Sequence, residues 1–407
     1  MGSGRLGRAL ELLVGISAVF WTAPSTSGPV VAPMPDSSPA SAQTLVNALL
    51  NPYAEGTLKL VAGSVAYKGA SFASGIFSNG GTNAATTIGI ESGVLLTTGD
   101  ARFVSGNPLV PEDVANKNAY STAGAVNALT VNNSPGDALF ASVTSSPTFN
   151  ASILSLQFVP AGDTLKLTYV FGAEDYNNWI NSGIPTDVIG IFVNGVNYAV
   201  VPDTSTPISA STVNCGGPSN GAATGFTAQN CELYRDNPPF VGAIDTELNG
   251  LTVSLTVTAP VTSGQVNTVQ IGIADAFDTF YDSALFLKGS SFGVFYTFTG
   301  FFDPIANPPS SNVANAGSAV PIGFSLNGFK GPSPFTVASQ QADCASGQAI
   351  GTLVAASAVG GSGIQYDAVN DVYQYNWKTD RQYAQTCRQL VVTLNDGTHH
   401  TAYFEFH

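Results

Sequence analysis

The sequence predicts an all-β protein, and three observations predict it. Turn-forming residues are abundant, with 43 glycines and 24 prolines in 407 residues, and they punctuate the chain at short intervals. Polar/apolar alternation marks Asp163–Phe171 and, strictly, Thr252–Thr258, the signature of a strand with one face on a core and one in solvent. Helical periodicity is confined to one short segment, Leu45–Asn51.

In chain order, Arg5 and Arg8 precede an apolar stretch from Leu12 to Trp21, the pattern of a secretory leader too short to span a bilayer. Residues 1–42 are expected to be this leader and a disordered segment, with cleavage near Ala23 or after Ala42. Strands follow to Phe302. Val188–Val193 and Val196–Val201 flank Asn194–Gly195, a dipeptide that tolerates the positive φ of a type I′ hairpin turn. Val269, Ile271 and Ile273 mark another inward face. Three prolines between Phe302 and Asn312 predict a linker over 303–315. Strands resume over 316–407, ending in a hairpin turned at Asp396–Gly397. Two units are therefore expected: a large β-sandwich or jelly-roll-like domain over 43–302 and a smaller immunoglobulin-like sandwich over 316–407.

Composition narrows the function. Thirteen Lys and Arg stand against 27 Asp and Glu, a net charge of −14, which excludes a nucleic-acid binder because phosphate contacts need clustered bases. Charged residues make up 10% of the chain against 44% hydrophobic, enough apolar material for a core. All three histidines, His399, His400 and His407, lie at the end of the sequence. The body of the chain thus lacks the imidazole that a Ser-His-Asp or Cys-His site requires. Four cysteines fall as two separated pairs, for which local bridges Cys215–Cys231 and Cys344–Cys387 and an oxidising compartment are expected.

Several ordered motifs resemble the bacterial choice-of-anchor L domain: Ser92–Gly99, Tyr169–Tyr176, Asp187–Gly195, Asn214–Gly216 and Asp275–Ser283. The resemblance spans about Thr44 to Phe292 and implies an exported surface or secreted protein, with no catalytic activity supplied. Downstream, Ala316–Leu326, Tyr373–Asp380 and Thr386–Leu390 are similar to the PxKF domain, although Gly323 replaces its name-giving lysine. No apolar anchor follows Phe406 and His407, so the mature chain is expected to be released or held by partners.

The residues that offer chemistry are acidic. Glu174, Asp175, Asp187, Asp275, Asp278 and Asp282 stand at predicted strand ends. Converged on one rim they would repel one another and call for a cation, and Ca²⁺ suits a set of hard oxygen ligands best. Alternatively, the acids cap turns and solubilise loops. Tyr176, Asn177, Trp179 and Tyr281, with Phe280, adjoin them. They form a ligand-binding candidate for an extracellular glycan or surface protein, or else belong to the core. A binding or adhesive protein without enzyme activity is expected. The rival readings are a hydrolase using a carboxylate pair and a purely structural surface-layer component.

Overall fold

The computed structural model describes residues 28–104, 132–176, 179–180, 183, 185–216, 227–238 and 242–407. Over these it is built almost entirely of strands. In the first sheet, the strands run Val30–Pro33, Ser74–Ser78, Gly93–Thr97, Ser283–Lys288, Thr164–Ala173, Gly250–Thr252 and Tyr234–Asp236, with Leu255–Pro260 and Gly293–Phe295 also paired to Thr164–Ala173. A second sheet runs Leu58–Leu60, Thr148–Pro160, Asn267–Ala276, Val188–Val193 and Val196–Asn197, with Ala66–Lys68 on its long strand. Every ladder in these two sheets is antiparallel.

Alternation decides how the sheets pack. Leu165, Leu167, Tyr169 and Phe171 face Val269, Ile271 and Ile273 in one buried cluster, while Lys166 and Thr256 point outward. Such a double-sided apolar interior is what joins two sheets into a sandwich. The helix Pro39–Leu49 covers one side of this core with Ala42, Leu45, Val46 and Leu49. Ser38 caps it by accepting from the Ser41 amide, and Pro39 occupies its first turn.

The tail repeats the two-layer plan. A five-stranded sheet runs Ser311–Ala314, His399–Phe406, Thr386–Leu394, Phe335–Ala342 and Val354–Ala355. A four-stranded one runs Ala319–Phe324, Val372–Lys378 and Ser357–Ala358, with Ile364–Asp367 on the middle strand. Trp377 and Tyr373 are fully buried between them, with Phe324, Phe335, Leu390 and Phe404. Both expected disulfides are present, with Cα atoms 4.4 Å apart for Cys215–Cys231 and 5.2 Å for Cys344–Cys387.

Three expected boundaries differ. The segment through residue 42 is not wholly a disordered leader, because Val30–Pro33 pairs with Ser74–Ser78 and the helix begins at Pro39. Residues 1–27, including the cleavage point near Ala23, lie outside the described residues. Nor is 303–315 a bare linker. Ile305 is buried in the tail's core, and Ser311–Ala314 forms a strand parallel to Tyr403–Phe406. Prolines prevented recognition of this strand, but a short edge strand tolerates them nearby. In the hairpin after Gly195, the second strand stops at Asn197, because the Asn197 side chain accepts from the Ile191 and Ala199 amides and bends the chain.

The two units also touch. Asp163 Oδ2 accepts from Asn327 at 2.9 Å and lies 3.9 Å from the buried Lys330 ammonium. Asp396 Oδ2 accepts from the Tyr296 amide at 2.7 Å, and Ala161 packs against the tail's core.

Candidate functional site

Two crossings of the sandwich build the rim. The strand Thr164–Ala173 of the first sheet passes through Glu174 and Asp175 to Val188–Val193 of the second. Asn267–Ala276 of the second sheet passes through residues 277–282 to Ser283–Lys288 of the first. Register fixes what meets there: Ser283 lies opposite Ala173, and Ala274 opposite Val188. Glu174 is thereby placed beside Asp282, and Asp187 beside Asp275.

The acids hold the crossings together. Asp187 Oδ1 accepts from the Ala276 amide at 3.2 Å, and its Oδ2 accepts from Ser283 Oγ at 2.6 Å. One carboxyl group thus ties both ends of the 277–282 loop. The Asp187 amide donates to Asp175 Oδ2 at 3.0 Å. Glu174 secures the same loop from the other side: its amide donates to the Asp282 carbonyl and its Oε2 accepts from the Asp282 amide, both at 3.1 Å. Asp275 sits at a register shift after Ile273 and accepts from Asn150 Nδ2 at 2.7 Å, and the Thr98 side chain also supports its charged form.

Burial dominates the electrostatics. Glu174, Asp175, Asp187 and Asp275 are each less than a tenth exposed. Among the described residues, Asp175, Asp187 and Asp275 form no ion pair with a lysine or arginine. Burial pushes Asp175 up to about 7. Burial first, then the neighbouring carboxylates, push Asp187 and Asp275 well above the usual carboxylate range, and burial with Asp282 and Glu247 does the same to Glu174. The charged form of a carboxyl group loses its hydration in such a place, so protons are held more tightly.

Beside this cluster opens a cleft of about 160 Å³, lined by Asp175, Trp179, Pro185, Asp187, Ala276, Asp278, Phe280 and Tyr281. The Trp179 and Tyr281 rings lie 5.9 Å apart at 50°, and Phe280 is half exposed. Phe277 and Tyr281 take left-handed backbone conformations, with φ of 82° and 62°, which side chains rarely adopt. A smaller hollow of about 20 Å³ on the other side of the loop is lined by Asp100, Glu174, Glu247 and Asp282, among others.

The six acids expected as calcium ligands therefore converge, yet they do not form one coordination sphere. Among the described residues, no group of three acidic, histidine or cysteine side chains is placed to hold a metal ion. Hydrogen bonds to the backbone, Ser283 and Asn150 engage them instead, and Asp278 accepts from the Phe280 amide in a local turn. Tyr176 is corrected from ligand-facing to core: it is fully buried against Phe171 and Tyr234. Trp179 and Tyr281 do line the cleft, and Asn177 lies outside the described residues. Sequence reasoning missed Asn150, Glu247 and Asp100. Each is remote in sequence from the acidic motifs and arrives through pairing that no local pattern announces.

Fold and site together define a β-sandwich protein with an acidic, aromatic-lined rim. A family model for the choice-of-anchor L domain matches residues 35–293, and the chain belongs to that family. The tail lies outside this match. Family membership and the two disulfides indicate a surface or secreted protein. Among the described residues, no helix is long and apolar enough to cross a membrane. No curated protein matches the chain. Among solved structures, the crystal structure of Dpr1 IG1 bound to DIP-eta IG1 is 13% identical and covers 28% of this chain and 97% of that one, with a TM-score of 0.16, too low to carry an argument.

Proposed function

We propose that this protein binds rather than catalyses, acting at or beyond the cell surface, and that its partner, a glycan or surface protein, docks in the rim cleft beside the 277–282 loop. One observation carries this reading: buried carboxyl groups, costly to desolvate, tie down both ends of a loop that presents half-exposed aromatic rings. Fixed aromatic faces beside polar groups are a common form of ligand site. The test is binding of the purified chain to arrays of glycans and surface-protein fractions, beside a variant carrying Phe280→Ala and Tyr281→Ala. Equal binding by the two would remove the cleft from the account.

Calcium dependence has its own support. Asn249 Oδ1, on the side chain whose amide donates to the Glu174 carbonyl, is a buried acceptor oxygen without a hydrogen-bond partner, and a hard cation takes oxygens of this kind. Repeating the arrays in chelator tests this, since a calcium-dependent site would lose its signal. A hydrolase reading draws on Asp175, whose pKa near 7 in a cleft shared with Asp278 resembles a proton donor beside a second carboxyl group. Chromogenic glycosides should be left intact by the purified chain.

A further inference from the structure

We propose that the rim cleft recognises an ammonium group, as carried by a lysine side chain or a choline-type headgroup; this rests on the cleft being the binding site. Its polar side chains point to that class. Asp175, Asp187 and Asp278 line it, with one oxygen of Asp175 and one of Asp278 outside the hydrogen bonds described above, and among the described residues no lysine, arginine or histidine lines the cleft. A bound cation would meet acidic side chains and, among the described lining residues, no fixed positive charge.

The rings point the same way. Trp179 and Tyr281 pack with ring centroids 5.9 Å apart and inclined at 50°, and both line the cleft with the half-exposed Phe280. A cation is attracted to ring faces within about 6 Å, and more strongly where water is excluded, so two inclined faces suit a compact positive group. The cleft's volume of about 160 Å³ also exceeds the roughly 10–15 Å³ that holds one water, leaving room for an alkylammonium and its carbon stem. Phe277 and Tyr281 take left-handed conformations within a loop whose ends are tied by Asp187 and Glu174.

The test is calorimetric titration of the full chain with N-acetyl-lysine methylamide, with choline, and with methyl glucoside as the neutral control, each to about 50 mM. At least one ammonium probe should saturate with a Kd near the millimolar range, and binding should weaken as salt is raised. Preference between the two ammonium probes identifies the source. Asp278→Asn should weaken binding about fivefold or more with an unchanged circular dichroism spectrum, and Trp179→Ala should weaken it in low and high salt alike. Binding of methyl glucoside alone would overturn the ammonium assignment while leaving the cleft as the site. If no probe bound and the Phe280→Ala/Tyr281→Ala pair also left array binding unchanged, both readings would fall.

Discussion

Asp187 accepts a 2.6 Å hydrogen bond from Ser283 Oγ, joining the start of a strand in the second sheet to the start of a strand in the first. Both side chains are buried. Ser283→Ala should therefore leave one oxygen of a buried carboxyl group without its donor and cost about 1–3 kcal/mol. Chemical denaturation would read this as a lower midpoint with an unchanged slope.

Stability should fall as pH rises through neutrality. Asp175, Asp187, Asp275 and Glu174 all have folded pKa values raised by burial, Asp175 to about 7, against about 4 in an unfolded chain. Groups of this kind contribute fully below the unfolded value, and that contribution is lost as pH climbs through the folded one. Melting temperatures measured without metal should thus be higher at pH 5 than at pH 8. If a cation binds these acids, calcium should recover most of the difference at pH 8 and little at pH 5, because it competes with protons.

Peptide mapping without reductant should recover only Cys215–Cys231 and Cys344–Cys387. In the chain-entropy model, loops of these lengths stabilise by about 3 and about 4 kcal/mol. Cys344→Ser with Cys387→Ser should therefore lower the tail's stability more than the Cys215/Cys231 pair lowers that of the larger unit.

The tail should not be separable at Asn312. Tyr296, Phe301 and Ile305 belong to its core, so a fragment starting at Val313 loses buried rings that a fragment starting at Tyr296 keeps. The shorter piece should melt well below the longer one. Asp163→Ala in the whole chain should destabilise the junction as well, since Lys330 is buried and loses its carboxylate neighbour.

Periodic features were legible in the sequence. Alternation over Asp163–Phe171 identified the strand Thr164–Ala173, while the alternating Thr252–Thr258 proved to straddle a break between Gly250–Thr252 and Leu255–Pro260; Asn-Gly and Asp-Gly identified the turns after Val193 and Leu394, because both signals are local. Cysteine spacing identified the two disulfides for the same reason. Long-range pairing was not legible: nothing near Asp275 indicates that Asn150, 125 residues away, donates to it. Tyr176 and Trp179 are only three positions apart in one acidic stretch, yet one is core and the other lines the cleft, since the chain turns between strands there. The acidic motif itself suggested a cation because carboxylates repel. Their backbone partners, visible only after folding, give most of them a second role as ties.

That role is tested most directly by amide hydrogen exchange on wild type and Asp187→Ala at pH 6. If the buried carboxyl group holds the rim, the variant should lose protection across Ala276–Ser283 while Thr386–Phe406 in the tail exchanges as before. Unchanged protection across Ala276–Ser283 in a folded variant would show that the loop is held by something else and would contradict the account.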